Sequence, residues 1–160
     1  MRPPRRGGPR QPGGAAGSSG LSSLAVEDAI YEALARADVD ALMELWSDEE
    51  DTVCIHPSGT RLLGNAAIRR SWDLILSQGG LLIIRSQLQR VAAGTLAVHN
   101  LIETVEVVEN GHKRSFHMAC TNAYLHGGKG WRQVLHHAAP VDLEAQPPPG
   151  QSGHAPRLLH

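Results

Sequence analysis

Apolar positions along the chain fall first at helical and then at strand spacing, with a single switch between the two. Val26, Ile30 and Leu34 recur every fourth residue within 24–37, the stripe of an amphipathic helix, and Ser22 or Ser23 stands where an N-cap belongs. A second helical stretch, 39–46, puts Leu42, Leu45 and Trp46 on one side. Residues 52–56 read as a short strand stopped by Pro57-Ser58-Gly59. Helical spacing returns from Asn65 to Leu76, with Ile68, Trp72, Ile75 and Leu76 apolar, and Gly79-Gly80 ends it. From Leu82 to Val141 the period is that of strands, broken at Ala92-Ala93-Gly94, Asn110-Gly111 and Gly127-Gly128-Lys129-Gly130. Helices followed by a meander of four long strands predict an α+β domain. The N-terminal helices pack on one face of a curved antiparallel sheet.

The turn at Asn110-Gly111 fixes a register, because both residues tolerate the positive φ that a two-residue hairpin needs. Counting back from it sets Glu109 opposite His112, Val105 opposite Phe116, Glu103 opposite Met118, Leu101 opposite Cys120 and His99 opposite Asn122. An even-numbered loop at Gly127–Gly130 then adds Tyr124, Trp131, Gln133, Leu135 and His137 to the same face, and a four-residue loop at 92–95 adds Ile84, Ser86 and Leu88. This face holds the large apolar side chains and is expected to turn toward the helices. The opposite face carries Val98, Ile102, Thr104, Ala119, Thr121, Ala123, Arg132, Val134 and His136. That mixed band is too apolar for a freely solvated sheet and has the composition of a semi-polar homodimer interface.

Composition narrows the partners. Of 160 residues 41% are hydrophobic, enough for one core, and Lys+Arg 15 against Asp+Glu 16 gives a net charge of -1. No basic field suited to nucleic acid exists, and no run approaches the roughly 18 apolar residues of a membrane span. The start has Arg2, Arg5, Arg6 and Arg10 but no apolar stretch behind them, so no secretory signal is expected there. Residues 1–23, rich in Pro, Gly, Ser and Arg, and the Pro-rich residues 143–160 have too little to bury and are expected to be disordered or flexible. Cys54 and Cys120 sit in apolar strand-like runs, as reduced buried thiols of a cytoplasmic protein do. No phosphate loop, nucleotide fingerprint or short-spaced metal motif occurs, so no cofactor and no metal are expected.

Several segments carry a family resemblance. The Leu-Trp pair at 45–46, Val-Cys-Ile-His-Pro at 53–57, Leu-Leu-Gly-x-x-Ala-Ile-x-x-Ser-Trp at 62–72 and Gly-Trp-Arg-x-Val-x-His-His-Ala at 130–138 resemble the SnoaL-like branch of the nuclear transport factor 2-like superfamily. Asn-Ala-Tyr…Gly-Trp-Arg-Gln-Val-Leu-His-His is also similar to the association domain of calcium/calmodulin-dependent kinases. The resemblance spans residues 24–142 and implies a cone, in which the sheet curls round the helices and encloses a cavity, with an outer face that dimerises. In the kinase association domain, pocket-lining arginines align with Glu103 and Asn122. An acid and an amide stand there in this chain, so anion binding does not carry over, and neutral or cationic groups are favoured.

The inward face is not purely apolar. His99, Glu103, Asn122 and His137 enter the interior, and buried polar groups need partners. Glu103 reads most sharply: an acid in an apolar cavity has its pKa raised toward the range useful for proton transfer. Tyr124, His99 and Asn122 are the candidate donors beside it. His56, at the strand end by Pro57, is a candidate rim contact, and Trp46, Trp72 and Met118 are candidate walls. Adjacent His136 and His137 point to opposite faces of a strand, which argues against a shared metal ion. Three functions fit: a homodimer binding a small, largely apolar ligand; a small lyase, isomerase or hydrolase with Glu103 as general base and Tyr124 as donor; or an oligomerisation module whose pocket is vestigial.

Overall fold

The computed structural model describes residues 20–144. Most of the two expected tails, residues 1–19 and 145–160, lies outside the described residues. Helix α1, Ser23–Arg36, begins where Ser22 Oγ accepts the Ala25 amide. It ends at Ala37 in the left-handed region (φ 55), whose amide donates to the Ala33 and Leu34 carbonyls. Its buried stripe includes not only Val26, Ile30 and Leu34 but also Ser23, Glu27 and Tyr31. Asp38 caps the short α2, Val39–Leu45. Strands β1, Val53–Ile55, and β2, Arg61–Leu63, precede α3, Asn65–Ile75, which runs on into a short 3-10 turn at Leu76–Gln78. Four long strands follow: β3 (Ile83–Ala93), β4 (Leu96–Glu109), β5 (His112–Gly127) and β6 (Gly130–Pro140).

The sheet has six strands in the order β2-β1-β6-β5-β4-β3. It is antiparallel except where β6 lies parallel to β1, the one adjacent pair that no hairpin joins. The helices cover the concave face, where Val26, Leu34, Leu42, Trp46, Ile68, Trp72, Leu101, Cys120 and Tyr124 form the core. Gly80 holds the start of β3 against α1. An added Cβ there would stand 1.9 Å from the Ala35 carbonyl oxygen, and the Leu81 amide donates to Leu34 O at 2.9 Å.

The β4–β5 register is the expected one along its length, from Glu109↔His112 to His99↔Asn122, with Asn110 (φ 52) and Gly111 (φ 78) in the turn. Two bulges change the rest. Between β5 and β6, Ala123 pairs with Leu135 but Tyr124 with Gln133, so Val134 is the extra residue. Beyond it Asn122 faces His136 and Thr121 faces His137, which inverts the expected placement: His136 turns into the core, whereas Leu135 and His137 share the outer face with Ala123 and Thr121. In β3 a bulge between Ser86 and Gln89, with Gln87 at φ 54, does the same. Ile83 and Arg85 therefore take the face of Val105 and Glu103, in place of the expected Ile84, Ser86 and Leu88. Ile84 and Leu88 are 52% and 44% exposed.

Candidate functional site

Polar residues gather where α1 crosses β4, β5 and β6. Glu27 is 1% exposed, and its Oε2 accepts from His99 Nδ1 at 2.9 Å, Tyr124 OH at 3.0 Å and Asn122 Nδ2 at 3.3 Å. Three donors on one carboxylate oxygen satisfy a charge that burial would otherwise penalise heavily. Arg85 closes the solvent side. It lies 4.5 Å above the Tyr31 ring, 2.8 Å from Asp28 Oδ1 and 3.7 Å from Glu27 Oε1.

Glu103 sits next to this cluster, on β4. Tyr31 OH, from α1, donates to its Oε1. Burial raises the Glu103 carboxyl above its ordinary value, and the Tyr31 hydrogen bond opposes that shift. Burial and the neighbouring Glu103 push the Tyr31 phenol up in turn. A narrow cavity of about 30 Å³ touches Glu103, Tyr31, Trp72, Asn122, Gln133 and His136, with Ile30, Leu34 and Ile83 as its apolar wall. An open groove of about 490 Å³ lies outside Arg85 along the β3 bulge and shares Ile83 with the cavity.

On the far wall, Asn122 Oδ1 accepts from Gln133 Nε2 at 3.0 Å and from His136 Nδ1 at 2.7 Å. Burial lowers the His136 imidazole to about 4, with His56 and His137 adding repulsion, so the ring is neutral near pH 7. His56 meets Trp72 edge to face at 5.0 Å between ring centroids, and its Nε2 lies 2.8 Å from Ser71 Oγ. Burial lowers its pKa too. The indole nitrogens of Trp46 and Trp72 are buried without a hydrogen-bond partner.

Of the residues expected at the site, Glu103, Asn122 and Trp72 line the cavity. Tyr124 and His99 point to Glu27, so the donor on Glu103 is Tyr31 and not Tyr124. Met118 is half-buried against the core edge, Trp46 is 3% exposed within it, and His56 borders the cavity through Trp72. His137 is exposed on the outer face, because the β6 bulge gives its place to His136. Glu27, Tyr31 and Arg85 were not among the residues expected at the site; Gln133 was expected on the inner face without a role there, and His136 on the outer face. The signal for the first two is there: Ser23, Glu27 and Tyr31 fall at i, i+4 and i+8 beside the apolar stripe of α1.

Ser23, His99 and Glu27 also stand in the order of a nucleophilic triad, with His99 Nε2 3.2 Å from Ser23 Oγ and Nδ1 on the carboxylate. Ser23 and His99 have no exposed surface, so no acyl group reaches them, and the arrangement serves to fasten α1 to the sheet. Burial likewise raises the Cys54 thiol to about 12, which leaves it a poor nucleophile. Among the described residues no three His, Cys, Asp or Glu side chains cluster to hold a metal ion, and no helix is long and apolar enough to cross a membrane.

Helices on the concave side of a long-stranded open sheet, with polar groups carried into the interior, define a cone-type pocket domain. The SnoaL-like domain family matches residues 24–142, and the chain belongs to that family, within the nuclear transport factor 2-like superfamily. No curated protein matches the chain. Among solved structures, a proposed calcium/calmodulin-dependent protein kinase type II association domain from Thiobacillus denitrificans is 27% identical, with a TM-score of 0.68 over 76% of this chain and 96% of that one. A proposed dehydratase of the nuclear transport factor 2-like family from Streptomyces avermitilis is 25% identical, with a TM-score of 0.65 over 72% and 91%. A superfamily protein from Salmonella enterica shares the fold at 17% identity, with a TM-score of 0.65 over 80% and 92%.

Proposed function

We propose that this SnoaL-like domain is a cytoplasmic homodimer that binds a small, neutral, hydrogen-bonding molecule in the Glu103 cavity. The observation that supports it is the interior itself. Glu103, Asn122, Gln133 and His136 are buried, yet they meet at one cavity rather than being packed out by apolar side chains. The sequence favoured a largely apolar ligand; the cavity volume favours a smaller one, and Glu103, Asn122, Gln133 and His136 in the lining offer it hydrogen-bonding partners. Ligand sites for drug-sized molecules measure about 300–1,000 Å³, against about 30 Å³ here. One water-sized group fits, so the narrow cavity takes the polar end of a ligand, and the Arg85 groove, which shares Ile83 with it, is its approach. If the site does chemistry, the raised carboxyl of Glu103 is its acid or base, in line with the relative proposed as a dehydratase.

Substituting Glu103→Gln separates the two uses of the site. A binding protein loses affinity in this variant, whereas a lyase or isomerase loses turnover and keeps most of its affinity. If no alcohol, ketone, amide or amine in a thermal-shift screen raises the melting point of the wild-type chain, the ligand reading is wrong.

The small volume of the cavity also favours a second reading, in which the domain serves assembly and the cavity is vestigial. On the outer face Val98, Thr104, Ala119, Thr121, Ala123 and Val134 are half-buried in the single chain, and Ile102 is buried. A second copy is the natural cover for such a band, and one relative is proposed as an association domain. Under this reading Ala119→Glu converts a dimer to a monomer on size exclusion, and substitutions at Glu103 leave function unchanged.

A further inference from the structure

We infer that Asn122 is a positioning residue: it fixes the tautomer of His136 so that a bare Nε2 meets a hydroxyl or N–H donor on the ligand. The ligand clause rests on the function proposed above; the tautomer does not.

The direction of each hydrogen bond follows from the two ends of the network. At one end stands Glu27 Oε2, which accepts from three donors, so the group Asn122 turns toward it is its amide nitrogen, at 3.3 Å. At the other end Gln133 Nε2 lies 3.4 Å from the Leu135 carbonyl oxygen, an acceptor only, and 3.0 Å from Asn122 Oδ1. Both ends require Asn122 Oδ1 to face His136. A carbonyl oxygen donates nothing, so the 2.7 Å contact from His136 Nδ1 is made by an N–H.

A neutral imidazole has one proton to place. With Nδ1 holding it, Nε2 is left as a lone pair on a ring that lines the Glu103 cavity. The site therefore discriminates by hydrogen-bond polarity. A group that offers an O–H or N–H finds an acceptor at His136, and a bare carbonyl oxygen does not. Asn122 touches no ligand in this scheme; it acts through His136.

The test is the two-bond proton–nitrogen spectrum of the full chain labelled with nitrogen-15 in histidine, with His136 assigned from His136→Gln. Expected in the wild type is a protonated Nδ1 and a pyridine-type Nε2. In Asn122→Leu the proton moves to Nε2 in most or all molecules. A wild-type Nε2 that carries the proton overturns the inference, as does a folded Asn122→Leu chain with the tautomer unchanged. Should Asn122→Leu fail to fold, the wild-type spectrum still decides. A further arm compares matched probes, 2-propanol and acetone, by thermal shift: the alcohol is expected to stabilise the wild type and the ketone not. Equal responses overturn the ligand clause, and no response to either with the tautomer as stated counts against the binding function alone.

Discussion

Glu27→Ala removes the acceptor on which three donors from two strands converge, and the structure gives the size of the loss. His99 Nδ1, Tyr124 OH and Asn122 Nδ2 all donate to Glu27 Oε2, and none of the three residues is more than 2% exposed. Water does not replace the lost partner without opening the core. A buried donor left unpaired costs about 1–3 kcal/mol, so three cost about 3–9 kcal/mol. Small domains are stable by about 5–15 kcal/mol, which places Glu27→Ala at or beyond the edge of folding. Glu27→Gln keeps one oxygen for these donors and is expected to lose about 1–3 kcal/mol. Urea denaturation followed by near- and far-UV circular dichroism measures both, read as a shift in midpoint at constant slope. If Glu27→Ala lies within about 1 kcal/mol of wild type, a typical cost for an ordinary substitution, the network does not hold α1 to the sheet.

Further outcomes follow from the same contacts. Gly80→Ala drives a Cβ into the Ala35 carbonyl and is expected to cost about 1–3 kcal/mol in the same urea assay, because the carbonyl it meets is backbone and cannot swing aside. Glu103 and His136 contribute to the pH dependence with opposite signs. Glu103 has a raised folded pKa, so its contribution to stability is complete below the unfolded carboxylate value and is lost as pH rises through the folded one; Glu103→Gln removes that decline. His136 has a lowered folded pKa, from 6.5 to about 4, so stability falls as pH drops across that interval, and His136→Gln flattens the acid limb of the midpoint–pH curve. Tyr31→Phe removes the hydrogen bond that restrains Glu103, and the carboxyl moves further up in a carbon-13 titration.

Where a turn dictated the geometry, the sequence could be read residue by residue. Asn110-Gly111 admits one kind of hairpin, and so the positions of His99, Glu103 and Asn122 on the inner face followed from counting. The helices followed from their apolar period, and α1 also from its serine cap. The two bulges carry no comparable sign. The extra residue in β6 is Val134, an ordinary strand former, and Gln87 takes a left-handed conformation without being Gly or Asn. Each is set by how the strand must bend over the helices, a tertiary demand that no local pattern records. One residue of slip was enough to exchange His137 for His136 and to bring Arg85 to the inner side. The partners of Glu103 were hidden for another reason. They come from α1, and strand arithmetic says nothing about which helical residue reaches a given strand position.

The claim that the Glu103 cavity is a binding site is tested most directly by titrating hydroxyl-bearing small molecules into the wild-type chain and into His136→Phe, with melting point as the readout. Expected is a concentration-dependent rise in the wild type, about 2.7 kcal/mol of stabilisation at a hundredfold excess over Kd, and none in the variant. An equal rise in both chains, or no rise in either, contradicts it.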